Sequence, residues 1–198
     1  MKTSTPPVSL FTILTSTLPQ ALKDEITETD SFLKALRPLK FKRTIDKRAN
    51  KITCVAADYG VSYMFKITGD TLAHNFQWYI VTGGKPETWH RKADYMEETL
   101  DEIAKADYPF AVRVFNALKH CPGGDNCYGM RCLARTPYAF GEQKRLTCHG
   151  KVELGSNSED FSDAREFFRY LNGLVTKKLA NGEPPQERII LYKTKRSL

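Results

Sequence analysis

The sequence has no apolar run of the roughly 18 to 20 residues that a membrane-spanning helix requires. It also lacks the G-x-G-x-x-G, P-loop, G-x-S-x-G and H-E-x-x-H motifs of dinucleotide, nucleotide, serine-hydrolase and zinc-protease sites. The apolar stretch at residues 8–18 is interrupted by threonine and serine, and no small-x-small cleavage site follows it, so we do not interpret it as a signal peptide. These absences favour a protein with no membrane partner and give no positive evidence for an enzyme.

Cysteine is scarce, and its number is odd. Five cysteines would leave one thiol over if all the others formed disulfides, which favours a reducing, cytoplasmic location. The composition, 41% hydrophobic and 27% charged, is that of a folded protein. A net charge of +7 eases binding to acidic partners without identifying one.

The residue pattern predicts one α+β domain over residues 1–198, with an antiparallel meander at residues 39–82. The clearest strand signal is the alternation of Val61, Tyr63, Phe65 and Ile67 with more polar residues. The other strands of this meander of about four are predicted at residues 40–45, 52–57 and 76–81, and a long loop is predicted at residues 82–90.

Helices are predicted to cover this sheet. Short helices are expected at residues 19–26 and 31–36, a helical hairpin at 91–119 and a long amphipathic helix at 156–181. Ser156 and Glu159 have the spacing of a capping box, and Asn181-Gly182 is a stop signal. Residues 120–155 are predicted to form a cysteine-rich hairpin module, with strands at 136–140, 145–148 and 151–154. A late strand is predicted at 187–194.

Four of the five cysteines, with a histidine beside the first and the last, follow the predicted helical hairpin. Thiolates and imidazoles are the ligands that zinc prefers, and four of them close a structural site. Turn-forming glycines and proline between the cysteines allow the chain to fold back. The sequence therefore predicts structural zinc rather than catalytic zinc. The predicted ligands are Cys121, Cys127, Cys132 and Cys148, with His149 and His120 as alternates. Buried thiols without a metal, or disulfide and redox chemistry, are the alternatives.

The stretch "HCPGGDNCYGMRC", a short hairpin, "CHG", a strand and "SEDFSDAREFFRYL" follow one another in an order that resembles a set of uncharacterised proteins of clostridia and related Firmicutes. The resemblance covers roughly residues 93–175. That group has no assigned activity. The resemblance implies an intracellular bacterial protein and no catalytic role.

Basic residues are concentrated between positions 37 and 51, where the single acid is Asp46. They are Arg37, Lys40, Lys42, Arg43, Lys47, Arg48 and Lys51. Such a stripe suits contacts with phosphates, and neighbouring aromatic side chains suit base stacking if they are exposed. These aromatic residues are Tyr63, Phe65, Phe76, Trp78 and Tyr79. The alternative is that the lysines protect an edge strand and that the aromatic residues belong to the core.

Two further places carry weaker signals. Trp89 and His90, at the junction of the predicted loop and helix, are candidates for lining a small-molecule pocket. Cys54, in a predicted strand, is interpreted as a core side chain. The sequence thus favours a noncatalytic binding or regulatory protein with structural zinc. Its partner, a small molecule or a protein, is not identified. Nucleic-acid association and an enzyme or small-molecule binder using Trp89 and His90 are the alternatives.

Overall fold

The computed structural model describes residues 17–59, 61–77, 79–81, 89–91, 93–121 and 135–183, so the predicted late strand at 187–194 lies outside it. This part of the chain forms four α-helices and nine β-strands. The helices are α1 (Gln20–Ala35), α2 (Ala93–Ala106), α3 (Tyr108–Asn116) and α4 (Ser158–Ala180). The strands are β1 (Lys42–Asp46), β2 (Lys51–Ala56), β3 (Val61–Thr68), β4 (Thr71–Gln77), β5 (Tyr79–Val81), β6 (Trp89–Arg91), β7 (Leu118–His120), β8 (Arg135–Phe140) and β9 (Gln143–Leu154). The predicted α+β class is confirmed.

Seven of these strands form one antiparallel sheet in the order β1-β2-β3-β4-β9-β7, with β8 also paired to β9. Strands β5 and β6 form a separate two-stranded sheet. The antiparallel meander β1 to β4 agrees with the prediction. The main sheet, counted over the described residues, is larger than the four strands expected.

Strand β9 is the element on which the C-terminal half of the sheet is built. Its Thr147 pairs with residues of both β8 and β7, whereas its Val152 pairs with residues of both β4 and β7. Strand β7 therefore occupies one edge of β9, while β4 and β8 share the other edge end to end. The two strands predicted at residues 145–148 and 151–154 are one continuous strand. The predicted hairpin module is thus an extension of the main sheet.

One face of the sheet is apolar and packs against helices. The register aligns Cys54 with Tyr63, Tyr63 with Phe76 and Phe76 with Val152, and all four side chains are buried. Phe168 of α4 lies on this row, with its ring centroid 5.8 Å from that of Tyr63 and 5.3 Å from that of Phe76. The alternation predicted for β3 is therefore confirmed, and the core lies between this face and the helices.

Helix α1 is unbroken, whereas the sequence predicted two short helices at residues 19–26 and 31–36. The segment between them contains threonine and aspartate, which have low helix propensity. Two of these residues are buried and bonded to other elements: Thr29 Oγ1 accepts a hydrogen bond of 3.0 Å from Arg165, and Asp30 pairs with Arg43. These tertiary contacts stabilise the helix across the weak segment.

Helices α2 and α3 confirm the helical hairpin predicted at residues 91–119. The Asp107 side chain caps α3 by accepting a hydrogen bond of 3.0 Å from the backbone N–H of Phe110. Pro109 sits in the first turn, where a missing N–H removes no helical hydrogen bond.

Helix α4 begins one residue later than the predicted capping box implied. Its N-cap is Asn157, and the box is completed by Asp160 rather than by the predicted pair of Ser156 and Glu159. The Ser156 hydroxyl instead donates to the carbonyl of Leu72. The helix ends at the predicted Asn181-Gly182 stop. Over the described residues, no helix combines the length and apolar character needed to cross a membrane.

The fourth strand of the meander was predicted too late in the sequence. It begins at Thr71, directly after a turn in which Gly69 has a φ of 62°. The prediction began at residue 76 because Ala73, His74 and Asn75 have low or neutral strand propensity. The predicted loop at residues 82–90 is also wrong at its end, because Trp89–Arg91 forms strand β6.

Candidate functional site

The fold brings two of the predicted zinc ligands onto neighbouring strands. Cys121 directly follows β7, is buried, and donates its backbone N–H to the carbonyl of Leu146 at 2.8 Å. His120 pairs with Thr147. Cys148, the next residue of β9, therefore has its backbone two positions along from Leu146. Cys121 and Cys148, which are far apart in sequence, are near neighbours in the sheet.

The structure does not describe the other side chains of the predicted zinc site. Cys127 and Cys132 lie outside the described residues, as do the side chains of Cys148 and His149. Among the side chains that the structure does describe, no three from histidine, cysteine, aspartate or glutamate group together as a metal site. Cys54 and Cys121 are both free thiols. Zinc binding therefore stays a prediction.

The exposed residues of the basic stripe differ in whether they have partners within the protein. Lys40, Lys42, Lys47 and Arg48 are exposed. Arg43 lies on the helix-covered face and contacts the Asp30 carboxylate at 3.0 Å. Arg37 donates hydrogen bonds of 2.7 Å to the carbonyls of Lys34 and Leu36 at the end of α1. The two arginines thus have structural partners, and the lysines provide most of the exposed charge.

The aromatic residues considered for base stacking do not join this surface. Tyr63 and Phe65 are 0% exposed and Phe76 is 1% exposed, so the idea that they stack on bases is wrong. Trp78 and the side chain of Tyr79 lie outside the described residues. The alternation that predicted β3 also predicts that the rings of Tyr63 and Phe65 face the core, where they are buried.

The face of β1 to β3 opposite to the helices carries a feature that the sequence interpretation missed. Lys51 of β2 lies directly opposite Lys66 of β3. On the other side of Lys51 lies Asp46, whose Oδ1 accepts backbone N–H groups of its own turn, from Arg48 and Ala49, each at 3.1 Å. Lys66 is outside the basic stripe of residues 37–51, and only the register of two strands places it there.

The Trp89 and His90 pocket is represented by its backbone alone. Both residues belong to β6, where Trp89 pairs with Val81 and His90 pairs with Ile80. Their side chains are outside the described part of the structure. The pocket stays a prediction.

Tyr63 and His74 form a polar pair inside the core. The Tyr63 hydroxyl lies 2.5 Å from Nδ1 of His74, and the Phe161 ring stacks on the imidazole with centroids 4.2 Å apart. Nε2 of His74 has no hydrogen-bond partner of good geometry. Burial raises the pKa of Tyr63 well above its usual value and lowers the pKa of His74 to about 4, although the nearby Gly155 backbone favours the protonated ring. The hydrogen bond therefore joins a neutral imidazole and a neutral phenol.

A second buried polar group surrounds Asp30. Its Oδ2 lies 2.6 Å from Nζ of Lys34 and 3.0 Å from Nη1 of Arg43, and the Cys54 thiol lies 3.9 Å from its Oδ1. Burial and the Asp30 carboxylate raise the pKa of Cys54 to about 12. A thiol with so high a pKa is not a nucleophile at neutral pH. The interpretation of Cys54 as a core side chain is confirmed.

A surface groove of about 250 Å³ runs between α2 and α4. Its floor includes Gly173, where an added Cβ would meet no heavy atom within 4 Å. Its two acidic side chains already have basic partners, since Glu102 pairs with Lys105 and Glu166 pairs with Arg169. The groove therefore favours neither an anionic nor a cationic ligand.

Neither a protein-family model, nor a curated protein, nor a solved structure matches this chain. The resemblance to clostridial and related proteins therefore stays a prediction. Function has to be inferred from the chemistry of the chain's own residues.

Proposed function

We propose that this protein is a noncatalytic binding or regulatory protein of the bacterial cytoplasm in which structural zinc holds the segment after β7 against the sheet. The ligands are Cys121, Cys127, Cys132 and Cys148, with His149 or His120 as replacements. Four thiolates match the closed coordination of a structural zinc site.

The observation that carries this proposal is the pairing of β7 with β9. The hydrogen bond from Cys121 to Leu146 and the pairing of His120 with Thr147 put the backbone of Cys121 close to that of Cys148, which supports a site that includes both residues. A site that includes residues of two neighbouring strands needs two further ligands, and Cys127 and Cys132 are proposed for them.

Metal analysis tests the proposal directly. Protein purified without chelators should contain about one zinc ion per chain, and Cys121→Ser and Cys148→Ser should reduce that content strongly. Cys54→Ala is the matched control, because Cys54 lies in the core beside Asp30 and should leave the zinc content unchanged. A wild-type protein without zinc, in which five thiols react after denaturation, contradicts the proposal and also excludes a disulfide.

A second candidate function is association with nucleic acid through the basic stripe at residues 37–51. It is favoured by Lys40, Lys42, Lys47 and Arg48, which are exposed and make no ion pair with any residue that the structure describes. Fluorescence anisotropy with labelled nucleic acid over a salt series tests it. Binding that disappears completely at moderate salt indicates charge attraction alone.

A further inference from the structure

Lys51 and Lys66 are neighbours with the same charge on the sheet face opposite to the helices. In a directly opposed antiparallel pair the Cβ atoms are about 5 Å apart, and two like charges there destabilise the sheet. Within the described residues neither lysine has an ion-pair partner. Across its other neighbouring strand Lys51 is opposite Asp46, whereas Lys66 is opposite Ala73, so the sheet places an acidic residue directly opposite Lys51 and none opposite Lys66.

Protection of a sheet edge does not account for the pair. Edge lysines prevent the pairing of one sheet with another, and β1 is the edge strand here. Lys51 and Lys66 are on β2 and β3, which are paired on both sides. Their position in the interior of the sheet points to binding.

The charge around this pair is strongly one-sided. Residues 40–53 and 61–71 contain seven basic and only two acidic residues. Of the seven, Arg43 is turned to the helix-covered face and pairs with Asp30. The register places Lys42, Thr44, Lys51, Thr53 and Lys66 on the sheet face opposite to the helices, and we name this set the lysine face. Asp46, at the end of β1, is on the same face.

The lysine face has the chemistry of a phosphate-binding surface. Ammonium and hydroxyl groups contact phosphate oxygens and sugars, which fix position without reading bases. Single-strand binding depends on exposed aromatic side chains on which bases stack. No aromatic side chain lies on this face among the residues described, since Tyr63 and Phe65 of β3 point to the core.

We propose that the lysine face binds the phosphodiester backbone of a duplex nucleic acid, without base stacking, and that Lys51 and Lys66 straddle one phosphate. This inference rests on the second candidate function, nucleic-acid association. It differs in placing the binding site on the lysine face of the sheet and not along the basic stripe at residues 37–51. A phosphate bound between the two lysines attracts both ammonium groups and thereby offsets their mutual repulsion.

The test compares two charge-reversal variants by fluorescence anisotropy. One is Lys51→Glu with Lys66→Glu. The control is Lys144→Glu with Lys177→Glu, which makes the same change in net charge at two exposed lysines outside the lysine face. The probes are labelled duplex DNA, duplex RNA, single-stranded DNA of the same length and poly-glutamate, each over a salt series.

We expect the wild type to bind a duplex more tightly than the single strand and poly-glutamate. The Lys51→Glu, Lys66→Glu variant should lower the magnitude of the slope of log K against log salt by about one, because the two lysines share one phosphate, while the control variant leaves the slope unchanged. The preferred duplex identifies the partner as DNA or RNA. A separate measurement excludes misfolding: Lys66→Glu alone should raise the melting temperature, because it replaces repulsion with a cross-strand ion pair, and should still weaken binding.

The outcomes separate the two levels of the proposal. A wild type that binds no nucleic acid overturns both nucleic-acid association and the lysine face. Equal losses in the two variants leave nucleic-acid association standing and overturn the lysine face as its site. Preference for the single strand or for poly-glutamate overturns the duplex assignment.

Discussion

The Tyr63 hydroxyl and Nδ1 of His74 are joined by a hydrogen bond of 2.5 Å in the middle of the core. Both residues are at most 1% exposed. They lie diagonally on adjacent strands, two residues from direct opposition, and Phe161 of α4 covers the imidazole. The core therefore contains one polar contact whose two partners depend on each other.

Replacement of Tyr63 with phenylalanine should destabilise the protein by about 1 to 3 kcal/mol. The ring still fills its place, but Nδ1 of His74 becomes a buried polar atom without its hydrogen-bond partner. Urea unfolding measures the change. Tyr108→Phe is the control, since Tyr108 is 60% exposed and its substitution should stay within about 0.5 kcal/mol of the wild type. A Tyr63→Phe variant as stable as the control would show that the contact contributes nothing.

His74 should make the protein sensitive to acid. Its pKa is about 4 in the folded state and 6.5 when unperturbed, so between these values the unfolded chain binds more protons than the folded protein does. Its contribution is therefore complete above pH 6.5 and is lost as the pH falls towards 4, by about 3 kcal/mol in total. Unfolding free energies measured at several pH values test this dependence.

The matched variant for this experiment is His74→Gln, which keeps a polar side chain but does not titrate. Other acidic and basic groups are the same in both proteins, so the difference between the two curves belongs to His74. Parallel curves between pH 6.5 and 4 would refute the assignment.

Gly173→Ala should stabilise the protein by about 0.5 to 1 kcal/mol, because glycine in a helix interior is less favourable than alanine. An added methyl group at this position meets no heavy atom within 4 Å. Thermal unfolding measures the gain. Gly141→Ala should behave oppositely, because Gly141 has a φ of +57° in the β8–β9 turn, which strains any residue with a Cβ. Destabilisation by Gly173→Ala would show that helix α4 or its groove requires glycine there.

The sequence predicted those elements in which one regular period dominates. The alternation in β3 and the stripe of α4 both persist long enough to identify the element and its buried face. Helix α1 was divided because Thr29 and Asp30 depend on partners, Arg165 and Arg43, that are distant in sequence. Strand β9 was divided at Gly150, where pairing on both sides of the break keeps the strand continuous.

The candidate sites were predictable only as lists of residues. Clustered cysteines suggested zinc, but the proximity of Cys121 to Cys148 comes from the pairing of β7 with β9. The run of basic residues is visible in the sequence, but the sheet face on which each side chain lies is not. Lys42 and Arg43 are adjacent in sequence and lie on opposite faces of the sheet. Lys66 could be added only from the register of β2 with β3.

The shared edge of β9 links the order of synthesis to the completion of the fold. On the ribosome, β1 to β4 emerge first, and β4 then has an open edge until residues 143–154 have been made. The phenylalanines of α4 that cover the same strands emerge later still. A chain stopped before β9 should therefore expose hydrogen-bonding groups and apolar rings to other nascent chains, and chaperone association during translation should end only when α4 has left the exit tunnel.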